Sequence, residues 1–184
     1  MKPHQTVLSL ALTSLFATAS AHADMTLTSS DINAGEKMPK AQEFAGFGCS
    51  GSNLSPQLSW ANAPANTKSF AITAYDPDAP TGSGWWHWVV ANIPASVSSL
   101  ESGAGSDNST MPAGSQTFRT DYGSKGFGGA CPPEGDKAHR YQFKVFALDV
   151  DTLELPADGS AALVGYYLNA HALETATLEA LYQR

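Results

Sequence analysis

Apolar side chains in this chain recur at every second position far more often than at every third or fourth, and that period builds sheets, not helix bundles. In Lys68–Tyr75 the alternation sets Phe70, Ile72 and Ala74 on one face and Ala71, Thr73 and Tyr75 on the other. In Arg140–Val150 it sets Tyr141, Phe143, Val145 and Ala147 against Gln142, Lys144, Phe146 and Leu148. Trp85–Ile93 is aromatic and β-branched and stops at Pro94, as a buried strand does. Shorter strands are predicted at Met25–Thr28, Gln57–Trp60, Ser115–Phe118 and Thr177–Tyr182. Only Ser160–Ala172 reads as a helix, capped by Ser160 or Asp158, with Leu163, Tyr166, Tyr167 and Ala170 at helical spacing. Long loops rich in Gly, Pro and Ser (residues 35–56, 76–84 and 119–138) separate the strands. The expected fold is mainly β, an antiparallel sandwich with one helix near the C-terminus, its long loops free to build a site.

The 184 residues suit one domain preceded by a leader. Lys2 supplies a basic start, Val7–Ala19 a short apolar stretch, and Ala21-His22-Ala23 a small-x-small cleavage site. The expected division is a signal peptide over 1–23 and a domain over 24–184, with a periplasmic or secreted mature protein. The whole chain carries a net charge of −7; cleavage removes one base and no acid, leaving 9 bases against 17 acids, or −8. Such a surface repels nucleic-acid phosphates, and no later stretch is long and apolar enough for a transmembrane helix.

Cys49 and Cys131 are the two cysteines, and an oxidising compartment makes a disulfide between them the natural reading. A reactive thiol and two unpaired structural cysteines are the competing readings. Metal ligands at short spacing are missing, so no metal site is expected.

Three stretches carry unusual chemistry. Asp76-Pro77-Asp78-Ala79-Pro80 follows the first alternating strand, and its prolines stiffen a turn that bears two carboxylates. Gly84-Trp85-Trp86-His87-Trp88 holds three of the four tryptophans; strict alternation puts Trp85, His87 and Val89 on one face and Trp86, Trp88 and Val90 on the other. Gly126-Phe127-Gly128-Gly129-Ala130-Cys131-Pro132-Pro133 is a glycine loop with a proline wall, leading to His139-Arg140-Tyr141. Without a strand–loop–helix unit it is neither a P-loop nor a dinucleotide fingerprint. Imidazolium groups and oriented N–H groups suit phosphate or carboxylate, and the aspartates would orient the rings or receive an ammonium. Each stretch also has a bland reading, as an acidic turn, a core strand or a structural loop. Tyr75, Arg119 and Tyr122 are further lining candidates that residue type cannot separate from packing; His171 reads as a helix-end residue stabilised by C-terminal carbonyls.

Together with Asn53-x-Ser55-Pro56-x-Leu58-x-Trp60, these stretches resemble the phosphatidylethanolamine-binding protein family, also called Raf-kinase-inhibitor-like, and most closely exported members of its bacterial YbhB/YbcL branch. The similarity spans residues 25–182. It implies a β-sandwich with an anion cavity formed by Asp76, Asp78, His87, Cys131, Pro132, His139 and Tyr141. It also implies a small phosphorylated or zwitterionic ligand such as a phosphoethanolamine head group, no cofactor, no common enzymatic reaction, and a homodimer. Where eukaryotic members close the cavity with a terminal helix, Leu178–Tyr182 here reads as a strand. The other readings kept open are a secreted effector that inhibits a kinase or protease partner, a hydrolase using His87 or His139 as base with Asp76 as orienter and Ser55 as the nearest hydroxyl, and a metal site.

Overall fold

The computed structural model describes residues 23–184, so the expected leader lies outside the described residues except for Ala23. In chain order the strands are β1 (Thr26–Thr28), β2 (Ala45–Gly46), β3 (Cys49–Ser50), β4 (Leu58–Ala61), β5 (Ser69–Asp76), β6 (Trp85–Pro94) and β7 (Ser99–Leu100). A short helix α1 (Ala104–Asp107) precedes β8 (Gln116–Thr117) and β9 (His139–Leu148), and helix α2 (Ala161–His171) runs directly into β10 (Ala172–Tyr182). A five-stranded sheet in the order β10-β9-β5-β6-β8 faces a three-stranded sheet in the order β1-β4-β7, and β2-β3 is a separate hairpin. All strand pairs are antiparallel. The expected sandwich is the observed one.

The core follows the period-two pattern. Phe70, Ile72, Phe143 and Val145 meet Leu27, Leu58, Trp60 and Leu100 between the sheets. On the outer face Ala71, Val89, Phe146 and Leu148 are covered by Ala161, Val164 and Leu168 of α2. Ser160 caps that helix by accepting the Leu163 N–H at 3.2 Å. The expected apolar stripe on α2 is corrected: Leu163, Tyr166 and Tyr167 face outward, and Tyr166 is 71% exposed. Ala161, Val164 and Leu168 turn to the sheet in their place.

Strict alternation fails in β6, with a consequence for the site. Ala74 pairs with Trp88 and Tyr75 with Trp86, so His87 is an extra residue in a β-bulge. His87 and Trp88 therefore both turn toward the inner side, while Trp86 and Val89 lie against the outer cluster. A bulge re-aims a side chain at the edge of regular pairing. Here it separates His87 from Val89, which alternation had put on one face.

Candidate functional site

A cavity of about 160 Å³ opens at the end of the sandwich where β5, β6 and β9 meet the long loops. Its floor is Asp76 from the end of β5, His87 and Trp85 from β6, and His139 and Tyr141 from the start of β9; its walls include Tyr122, Cys131, Pro132, Pro133 and Phe47. Residues 139 and 141 share a face by alternation, and antiparallel pairing lays β9 beside β5, so sequence-distant groups converge.

Asp76 and His139 form one unit, each 2% exposed. His139 Nδ1 donates to Asp76 Oδ2 at 2.8 Å, and the Asp78 N–H donates to the other oxygen at 2.8 Å. Asp136 Oδ2 lies 3.4 Å from His139 Nε2, so carboxylates bracket the ring.

His87 is 3% exposed, and its Nδ1 stands 2.7 Å from the Gly128 carbonyl oxygen. A carbonyl only accepts, so Nδ1 carries the hydrogen. Burial pushes the imidazole below the usual histidine range, outweighing the opposing pull of the Gly128 carbonyl and the Asp76 carboxylate. The ring is thus a neutral tautomer whose Nε2 lone pair has no partner. This corrects the expected imidazolium at position 87.

The Tyr141 hydroxyl is likewise buried and has no partner at full hydrogen-bonding geometry, though it faces the Asp76 carboxylate, which pulls on its proton. Burial first, then the Asp76 charge, raises its phenol well above the usual range, so it stays protonated. Trp85 Nε1 is a third buried atom without a partner. Tyr122 is raised above the usual range by the same two causes, and its hydroxyl donates to the Gly129 carbonyl at 2.8 Å.

Asp78, expected in the cavity, lies outside it. Its carboxylate is gripped by Arg140, with Nη2 at 2.8 Å from Oδ1 and Nε at 2.9 Å from Oδ2, and it also accepts the Arg140 N–H at 3.0 Å. Those bonds hold its carboxyl well below the usual range. Alternation explains the split: residues 76 and 139 turn inward, while Arg140 turns outward and takes Asp78 with it.

The glycines at 128 and 129 form wall and do not offer their N–H groups to the cavity, whereas Cys131 and Pro132 line it as expected. From Phe127 to Ala130 the loop's N–H groups are satisfied within the protein: Phe127 N–H by Gly105 O, Gly128 N–H by His87 O, and Ala130 N–H by Gln42 O. Gly129 N–H donates to Asn53 Oδ1 at 2.7 Å while Asn53 Nδ2 donates to Phe127 O at 3.1 Å. The Asn53–Trp60 stretch is therefore architectural. Ser55 is fully buried, accepts the Gly105 N–H at 2.9 Å and does not line the cavity.

Cys49 and Cys131 are joined by a disulfide with Cα atoms 6.0 Å apart, which fixes the β2–β3 hairpin to the loop wall. Glu43 braces the same hairpin, accepting the Ser50 N–H at 2.6 Å and the Tyr182 hydroxyl. Phe47, at the hairpin tip with φ +54°, is 70% exposed and stacks with Tyr122. Nothing in the sequence singled out Phe47; the nearest signals were the following glycine and Cys49. Of the three further lining candidates only Tyr122 is in the wall. Tyr75 donates to Ser83 O at 2.8 Å and packs on Trp86, and Arg119 lies in a separate surface depression. His171 pairs with Asp149 at 2.9 Å. Among the described residues no cluster of three His, Cys, Asp or Glu is placed to hold a metal, and no helix is long and apolar enough to cross a membrane.

A family model described as phosphatidylethanolamine-binding protein matches residues 28–183. The chain belongs to this family. Two Escherichia coli relatives are similar throughout: YbcL is 52% identical over 158 residues, covering 85% of this chain and 86% of YbcL, and YbhB is 48% identical over 158 residues, covering 86% and 99%. The crystal structure of E. coli YbcL, described as a new member of the mammalian family, superposes with a TM-score of 0.86 over 88% of this chain and 99% of that one. A Chlamydia trachomatis homologue of the family superposes with a TM-score of 0.73 at 30% identity, covering 88% and 98%.

Proposed function

We propose that this member of the phosphatidylethanolamine-binding family holds a phosphate or a phosphorylated head group in the His87–Tyr141 cavity, as an exported binding protein and not an enzyme. The observation that carries the reading is that three buried polar atoms without a partner (His87 Nε2, Tyr141 Oη and Trp85 Nε1) converge on one cavity, while the other such atoms, on Gln42, Trp60, Trp88 and Ser115, do not line it. A buried polar atom without a partner costs about 1–3 kcal/mol, so a ligand or water that satisfies three of them gains correspondingly. Tetrahedral oxyanions present several oxygens within a volume that such a cavity accommodates. Export is supported by the disulfide, which persists in oxidising compartments. Catalysis gains no support from the hydroxyl nearest in sequence, since Ser55 is occupied elsewhere.

Titration calorimetry with inorganic phosphate and with phosphoethanolamine tests the reading. Both bind the wild type, and His87→Ala combined with His139→Ala weakens both at least about tenfold, the loss of roughly one charge-assisted hydrogen bond. Unchanged affinity in a variant that keeps the wild-type circular dichroism would reject it. Phosphate and acyl esters are expected to show no turnover.

A further inference from the structure

We propose that the cavity selects oxyanions that still carry an acidic hydrogen, such as the phosphate or phosphomonoester monoanion, and rejects fully ionised tetrahedral dianions such as sulfate. This deepens the proposed function and rests on it. The floor is not a cluster of donors. Tyr141 Oη and Trp85 Nε1 can donate, but His87 Nε2 offers a lone pair, because Nδ1 is committed to the Gly128 carbonyl at 2.7 Å. A half-turn of the ring would set Cδ2 against that carbonyl and lose the bond. The Gly128 N–H returns a bond to the His87 carbonyl at 2.8 Å, and the edges of Tyr122 and Tyr141 bracket the imidazole with centroids at 5.5 and 5.1 Å.

A ligand that completes this floor must donate at one oxygen and accept at others. A P–O–H beside two bare oxygens that share one negative charge does this; a sulfate dianion meets the lone pair with a fourth bare oxygen. Charge points the same way. The lining contains no lysine or arginine, and its one carboxylate is Asp76. The groups that face His87 are Asp76 from β5, Tyr141 from β9, and Tyr122 and Asp121 from the loop after β8, with His139 lining the same cavity behind Asp76. None is a fixed cation that would neutralise a second negative charge. Protonating His87 would convert the acceptor to a donor, and burial opposes that.

The test is calorimetry at pH 6 with sodium phosphate and sodium sulfate, repeated in buffers of different ionisation heat to count protons. Phosphate is expected to bind at least about tenfold more tightly than sulfate, since the mismatched ion leaves an acceptor facing an acceptor. Its heat is expected to be independent of the buffer, because the monoanion brings its own proton. Residual sulfate binding should take up about one proton at His87. His87→Gln places an amide where Nε2 stood, able to donate, so the preference should shrink toward parity.

Sulfate equal to phosphate in the wild type, or phosphate binding with uptake of a full proton, would overturn this inference and leave the phosphate cavity standing. Failure of both ions to bind would remove the proposed function and the inference with it.

Discussion

The floor of the cavity and the loop wall behind it use similar polar chemistry with opposite results. In the wall, the N–H groups of Phe127, Gly128, Gly129 and Ala130 all meet acceptors, and Asn53 closes a two-way bond with the loop. On the floor, a short distance away, three buried polar atoms meet nothing. Two aspartates on one turn repeat the contrast: Asp78 is clamped by Arg140 outside, whereas Asp76 faces the cavity with His139. Other unpaired buried atoms (Gln42 Oε1, Trp60 Nε1, Trp88 Nε1 and Ser115 Oγ) are scattered through the interior, whereas the three of the floor converge on one cavity.

The strongest way to break the contrast is to release the wall. The disulfide joins residues 82 apart. Replacing both cysteines by serine is expected to cost about 2–5 kcal/mol of unfolding free energy, read by urea denaturation. Because the link also fixes the hairpin that carries Phe47, phosphate affinity should fall in the same variant. Gly129→Ala attacks the wall more locally. An added Cβ would lie 2.4 Å from the Gln42 backbone oxygen, which cannot move aside without opening the Ala130–Gln42 and Phe44–Ala130 bonds. Overpacking of this kind costs about 1–3 kcal/mol, measurable by the same denaturation.

The floor should answer differently. Tyr141→Phe removes an unpaired buried hydroxyl and keeps the ring, so stability is expected to stay level or to rise slightly. Phosphate affinity should nevertheless fall about tenfold, near 1.4 kcal/mol, because the ligand loses a donor. Thermal melting and calorimetry on this one variant therefore separate the two regions. A large stability loss with intact binding would show that Tyr141 belongs to the framework.

How much of this was readable beforehand depended on period and length. β5 and β9 have one residue facing in for each facing out over most of their length, so their faces and the convergence of Asp76, His139 and Tyr141 follow from alternation. Two-residue strands such as β2, β3 and β7 are too short to leave a period, and they were not anticipated. The bulge at His87 is a property of pairing between strands, so no single segment encodes it; its effect is that alternation misassigned Trp88 and Val89. The α2 stripe failed for a related reason. Tyr166 and Leu163 match helical spacing as well as Val164 and Leu168 do, and only the way the helix docks on the sheet decides which set is buried. Asp78 was misplaced because the sequence shows two carboxylates on one turn but not that an outward arginine lies opposite one of them.

The smallest expected effect is on the pH dependence of stability, and its sign distinguishes a neutral His87 from a charged one. Burial lowers the native pKa of His87, whereas in the unfolded chain the ring titrates near 6.5. Above that value both states hold the neutral ring, and His87 contributes no pH dependence. As the pH falls through about 6.5 the unfolded chain takes up a proton that the native ring refuses, so stability declines, with a slope bounded by about 1.4 kcal/mol per pH unit. A His87→Gln variant should lack that part of the decline between pH 7 and the carboxylate range, while losing stability in parallel with the wild type once Asp78 is forced to protonate at lower pH. Denaturant midpoints across pH 5–8 provide the measurement. If the wild type instead gains stability through His87 as the pH falls, the ring is a native-state cation, the floor is a set of donors, and sulfate should bind as well as phosphate.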